Sequence, residues 1–269
     1  MVSLSVPQIA FFLRNMRNVR KYEGIHRNKL IVQLLHKQNS YDEALYETAA
    51  LRLGGEIKEI YYHKKMKTHT ESGDAIIKYV PFGIKEGNYI SRAKAPILYA
   101  GHGIDSVAIQ TLGDLYTIHE HFREKRIHHP ITYAGNYIPE LVTPNIRAVF
   151  AINHQNAAQA MTLISTLVQL SNINIHILPR NGWTPPWGII SKLVYSLKMS
   201  QSDIVVSLSK IRNREYDIVY NNRNDHYIPI HDKSLFLENQ IDQMVPFSKQ
   251  HEHSIQARMH MLHTILDRN

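Results

Sequence analysis

Residues 95–122 read APILYAGHGIDSVAIQTLGDLYTIHEHF. Pro96–Ala100 is a short apolar run that meets Gly101-His102-Gly103, and from about Ser106 to Phe122 the apolar residues recur at helical spacing. A strand that ends on glycines and feeds a helix is the repeating unit of a parallel sheet. It also brings a helix N-terminus, with its free N–H groups, to the carboxyl end of a strand, where ligands of such sheets bind. Working outward, the unit recurs. Leu30–Leu35 is a buried-strand run, Asn39-Ser40-Tyr41-Asp42-Glu43 is a polar stretch suited to capping, and ALYETAALRLGG is a helix stopped at Gly54-Gly55. Strands follow at Glu56–Tyr62 and at Asp74–Val80, ended by Pro81. Upstream, Ile9, Phe12, Leu13, Met16 and Val19 predict a helix over 8–22. Downstream, strand Ile146–Ile152, helix Ala157–Leu170, strand Ile173–Leu178, strand Asp203–Leu208 and a closing helix His251–Leu266 continue the rhythm. The stretch 123–145 carries three prolines and a charge cluster, so a domain boundary is placed there. The expectation is an α/β protein of two domains, each a mainly parallel sheet flanked by helices.

Composition narrows the chemistry. The chain has 269 residues, 43% hydrophobic and 20% charged, which fits a globular protein rather than a disordered one. No apolar run approaches the ~18 residues of a membrane helix, and no signal peptide is read at the start. Cysteine is absent, which removes disulfides, thiolate nucleophiles and Cys-based metal or cluster sites and makes a cytoplasmic home the default. Lys and Arg outnumber Asp and Glu by 31 to 23, for a net charge of +8. Because the basic residues are scattered, they read as a solvated surface that could attract a small anionic ligand rather than as a nucleic-acid face. None of the histidine pairs (His119/His121, His128/His129, His251/His253, His260/His263) has i,i+4 spacing, so no metal is expected, and His260/His263 reads as a surface pair. Trp183-Thr-Pro-Pro-Trp187 reads as a loop packed on its own domain, and Ser40, Ser106 and Asp105 have no paired base for nucleophilic catalysis.

Two segments carry a family resemblance. Tyr46-Glu-Thr-Ala-Ala-Leu-Arg-Leu-Gly54 resembles the helix after the phosphate-binding loop of aspartate/ornithine carbamoyltransferases. Ala95–Gly103 followed by Gln110–Glu120 resembles that family's second hallmark, most like the aspartate enzymes. The resemblance implies a carbamoyl-phosphate-binding-like domain over 1–135, an aspartate/ornithine-binding-like domain over 136–250, and a C-terminal helix over 251–269 packed back on the first domain. It also implies a homo-oligomer, a trimer with shared sites, and no cofactor. The family reaction joins carbamoyl phosphate and aspartate into carbamoyl aspartate for pyrimidine biosynthesis.

Against that family pattern the charged residues differ. Where the family has Ser-Thr-Arg-Thr-Arg, this chain has Asn39-Ser40-Tyr41-Asp42-Glu43: both arginines are gone and two carboxylates have arrived. Arginine there gives a phosphate permanently charged, bidentate donors, which an Asp-Glu pair cannot do. His-Pro-x-Gln has become Val107-Ala108-Ile109-Gln110, leaving Gln110 as the remnant catalytic candidate. Ser40, Lys78, His102 and Gln110 are the substrate-binding candidates. The loop at 63–73 is short, Ala157-Ala158-Gln159 and Ser207–Ser209 stand where arginines are expected, and the late His-Pro-Leu-Pro turn is missing unless Val245-Pro246-Phe247 is its remnant. One lost electrostatic donor commonly costs about 10²–10³ in rate. Several such losses leave little of an enhancement worth ~8 kcal/mol or more. The expectation is a scaffold or binding homologue that has lost efficient catalysis, alone or assembled with an active homologue. The alternative is an active carbamoyltransferase with an altered amino-acid substrate, in which Lys78, His102, Gln110, Arg180 or Arg212 replace the missing charges.

Overall fold

The computed structural model describes residues 5–35, 41–61, 73–80, 95–101, 104–124, 130–133, 136–142, 146–154, 157–170, 173–179, 182–188, 190–191, 203–206, 218–221 and 247–267. The chain divides into two compact units: a first of 14–113 with 252–269, and a second of 3–13 with 114–251. The N-terminal helix α1 (Val6–Met16) buries Val6, Ile9, Phe12, Leu13 and Met16, a stripe at three- and four-residue spacing.

The first unit holds a four-stranded parallel sheet of β1 (Leu30–Leu35), β2 (Glu56–Tyr61), β3 (Ala75–Val80) and β4 (Ile97–Gly101) in the order β2-β1-β3-β4. Helix α2 (Tyr41–Arg52) joins β1 to β2, and α3 (Ile104–Glu124), whose residues to Gly113 belong to this unit, follows β4. Every residue of β3 is buried, as the continuous run AIIKYV requires of a central strand covered on both faces. Helix α2 ends as its two glycines demand. Gly54 has φ +86°, its N–H donates to Leu51 O, and the N–H of Gly55 donates to Ala50 O, the paired bonds of a Schellman stop. A side chain at Gly54 would also meet the Gly24 backbone, 3.0 Å from its Cβ position.

The second unit repeats the plan: β7 (Ile146–Ile152), β8 (Ile173–Pro179), β9 (Asp203–Val206) and β10 (Ile218–Asn221) form a parallel sheet in the order β10-β7-β8-β9. Helix α4 (Ala157–Leu170) joins β7 to β8 and is buried almost all round, so its apolar character exceeds a single stripe. Several features depart from the sequence reading, among them strand β10, which it did not include. The stretch 123–145 contains an antiparallel pair, β5 (Pro130–Tyr133) and β6 (Asn136–Val142). Pro130 opens a strand and Pro139 lies within one, which a two-stranded ribbon tolerates because each strand keeps a free edge. The helix expected over 8–22 stops at Met16; after Asn18, Val19–Tyr22 forms a separate 3-10 turn. The last helix, α5, runs Phe247–Leu266, and its residues from Glu252 belong to the first unit. No helix among the described residues is long and apolar enough to cross a membrane.

Candidate functional site

In the first sheet the chain leaves β1 toward β2 on one side and returns as β3 on the other, so strand order reverses between β1 and β3. A ligand site of an open parallel sheet lies at such a point, beyond the carboxyl ends of the strands. The side chains around it are brought there by α2, β3, β4, α3 and α5.

Asp42, in the first turn of α2, is the hub. One carboxylate oxygen, Oδ2, accepts a 2.7 Å hydrogen bond from the N–H of Gly101 at the end of β4. The other, Oδ1, accepts from Arg258 Nε at 3.0 Å and also from Arg258 Nη2. Arg258 comes from α5, 216 residues away, and is 1% exposed. Nη1 donates to Ser254 O at 2.9 Å and Nη2 also to Gln110 Oε1 at 3.3 Å. The guanidinium lies over the ring of Tyr46, 5.0 Å from its centroid, and Tyr46 meets Tyr79 edge-on. Tyr79 donates its hydroxyl to Asp42 O at 3.3 Å. Burial, with the Asp42 carboxylate and Tyr46 adding to it, pushes the Tyr79 phenol far above its ordinary value, so this hydroxyl stays protonated.

This is a paired carboxylate held at a helix N-terminus, where negative charge is favoured by the macrodipole. A fully desolvated guanidinium and a backbone N–H are the donors that would suit an external oxyanion. Here they are engaged by an oxyanion from the chain itself. Glu43, also buried, adds a second carboxylate to the same turn.

The sequence candidates fall into three groups. Gln110 joins the cluster through Arg258. Lys78 does not: successive residues of a strand face opposite sides, so Lys78 lies on the sheet face away from Tyr79 and the Asp42–Arg258 pair. There it is 8% exposed, and burial lowers its ammonium pKa. Ser40, His102, Arg180 and Arg212 lie outside the described residues. No group of three or more His, Asp or Glu that could hold a metal ion occurs among the described residues.

Gln33, paired with Ile77 across β1 and β3, therefore shares the face of Tyr79. It is 0% exposed, and neither its amide nitrogen nor its oxygen has a hydrogen-bond partner among the described residues. A buried amide without partners costs about 1–3 kcal/mol. Gln33→Leu is therefore expected to raise the unfolding free energy by about 1–3 kcal/mol in urea denaturation; a loss of stability would mean that the amide is bonded.

With this geometry established, the comparison with solved structures is decisive for the fold. The catalytic subunit of M. jannaschii aspartate transcarbamoylase superposes with a TM-score of 0.68 at 17% identity, covering 100% of this chain and 98% of that one. The chain has the aspartate carbamoyltransferase fold. The ligand-free aspartate transcarbamoylase of Trypanosoma cruzi agrees, with a TM-score of 0.71 at 15% identity over 98% of this chain and 94% of that one. In sequence, the aspartate carbamoyltransferase catalytic subunit of Aliarcobacter butzleri is 33% identical over 111 residues, 36% of this chain and 37% of the relative. That of Helicobacter pylori strain 26695 is 27% identical over 120 residues, 40% of this chain and 39% of the relative. The chain thus matches well under half the length of these curated relatives. No family model matches it. The resemblance read from the two sequence motifs holds in both comparisons, in the relatives found and in the architecture.

Sequence reasoning missed Arg258. It sits in an otherwise helical, largely apolar run, Ile255-Gln-Ala-Arg-Met-His-Met-Leu262, and an arginine on the buried stripe of a closing helix was the available signal. Nothing local could pair it with Asp42. The same helix is tied to α2 a second time: Arg52 Nη1 donates to Glu252 Oε1 at 2.6 Å. That bond holds the Glu252 carboxyl below its usual range.

Proposed function

We propose that this chain is an aspartate carbamoyltransferase-like scaffold that no longer binds carbamoyl phosphate at the start of α2 and acts by binding and assembly. The observation that carries the reading is the Asp42 carboxylate taking both the Arg258 guanidinium and the Gly101 N–H. A phosphate arriving there would have to displace an intramolecular carboxylate from its donors. It would also meet two carboxylates in the first turn of α2, Asp42 and Glu43. At about 5 Å and an effective dielectric of ~20, two like unit charges repel by about 3 kcal/mol. The missing family arginines and histidine, replaced by Tyr41, Glu43 and Val107, remove the compensating attraction. In this reading residues 1–135 are the carbamoyl-phosphate-binding-like domain, 136–250 the aspartate/ornithine-binding-like domain, and 251–269 the helix that returns to the first. The scaffold works in the cytoplasm as a homo-oligomer, a trimer on the family pattern, or in a mixed assembly with an active homologue.

The test is a calorimetric titration of the purified protein with carbamoyl phosphate, then aspartate or ornithine, with product assayed in the same samples. No heat and no carbamoylated product are expected. Carbamoyl transfer that disappears in Gln110→Ala would overturn the reading in favour of an active transferase with substituted phosphate-binding residues.

A further inference from the structure

Away from the Asp42 cluster, the first unit gathers three histidines and a tyrosine that the proposed function does not use. His26, in the turn after Tyr22, places Nε2 2.8 Å from Nδ1 of His263 in the last turn of α5, across 237 residues of sequence. Tyr22 stacks on His263 with ring centroids 3.8 Å apart and on His260 at 6.4 Å. The turn itself is fixed from the other side, because Gly24 N–H donates to Arg52 O and His26 N–H to Leu53 O at the end of α2. The imidazoles therefore form the seam between an anchored turn and the end of a helix. His26 and His260 are both buried, which corrects the reading of His260/His263 as a surface pair.

We propose that Tyr22, His26, His260 and His263 form a proton-operated latch that fastens the last two turns of α5 to the 19–28 segment while the imidazoles are neutral and releases them on acidification. The geometry gives the reason. Two ring nitrogens 2.8 Å apart share one proton, one ring donating and the other accepting. A second proton on that edge turns the acceptor into a donor, so two N–H groups face each other and one ring carries a positive charge. His260 cannot take a proton in its packed position without being desolvated as a cation. Burial, and then the neighbouring His263, lower its pKa to about 4. His26 is lowered for the same reasons in the same order, and by Lys29 more weakly. The carboxylate of Asp267, one turn beyond His263 and just past the end of α5, opposes this by favouring a proton on His26. Tyr22 offers the ring face. The charges around the seam thus set the pH of release without removing it.

Amide hydrogen exchange reads the latch directly. After correction for the intrinsic pH dependence of exchange, protection of residues 260–266 is expected to fall at least tenfold between pH 7.5 and pH 5, while residues 252–256 hold theirs. In a His260→Leu/His263→Gln double variant, in which the amide introduced by the second substitution can still bond His26, the fall is expected to shrink below twofold. Unchanged protection in the natural protein, an equal fall in the double variant, or a fall spread over the whole unit would each overturn the latch. Should the variant fail to fold, NMR titration of the natural protein decides: a His260 midpoint near 4 supports the latch, and one near 6.5 overturns it.

Discussion

Arg258→Ala is expected to lower the unfolding free energy by about 3–5 kcal/mol, because removing one partner of a buried ion pair leaves the other charge uncompensated. The guanidinium is buried, serves Asp42, Gln110 and the Ser254 carbonyl, and covers the Tyr46 ring, so truncation breaks polar and packing contacts together. For a chain of this size that corresponds to a fall in Tm of roughly 10 °C. Asp42 is partly open to solvent, its side chain 16% exposed, which places the expected loss toward the lower end. A thermodynamic cycle with Asp42→Ala separates the pair from the packing. The double variant should lose at least ~1 kcal/mol less than the sum of the singles, as coupled neighbours do. Additive losses would mean that Asp42 and Arg258 act independently, and the self-occupied oxyanion site would fall with that result.

Acid is expected to cost a comparable amount. His260 has its folded pKa lowered from 6.5 to about 4, while the unfolded chain keeps the ordinary value. Below pH 6.5 the unfolded state therefore binds more protons than the folded one, and stability falls as pH falls. The stabilisation is complete above about pH 6.5, declines between 6.5 and 4, and is gone below 4. A shift of that size corresponds to about 3 kcal/mol. His26, lowered in the same direction, adds to it. Asp74 extends the decline: Leu30 N–H and Lys29 hold its carboxyl below the usual range, so its contribution is lost as pH falls through that depressed value. Urea denaturation at pH 7.5, 6, 5 and 4 measures the slope. A His260→Leu variant whose stability is flatter over that window is expected, whereas parallel curves would assign the acid sensitivity elsewhere.

What could be read beforehand was what the chain states locally. The runs Leu30–Leu35 and Ala75–Val80 are apolar but for Gln33 and Lys78 because both sheet faces are covered, and Gly54-Gly55 stops α2 because only glycine takes that backbone conformation cheaply. The hairpin Pro130–Val142 was hidden by its prolines, which signal a break when read in order but fit the free edges of a two-stranded ribbon. Strand Ile218–Asn221 is four residues long, too short to impose a period. Asp42 was legible as an intruding acid in a phosphate loop, yet its partner was not. An ion pair across 216 residues and a histidine pair across 237 leave no local trace; the fold alone brings them together.

The closure of the first unit by residues 252–269 also sets a timetable for synthesis. Residues 14–113 emerge from a ribosome with α2 and the four strands complete, but with Asp42 lacking Arg258 and Arg52 lacking Glu252. The roughly 140 residues between Gly113 and Glu252 take on the order of 7–28 s to translate at about 5–20 residues per second. For that interval the nascent unit exposes the apolar surface that Ile255, Ala257, Met259 and Leu262 later cover. The second unit can fold in the meantime, so residues 14–113 wait for a helix made more than a hundred residues later.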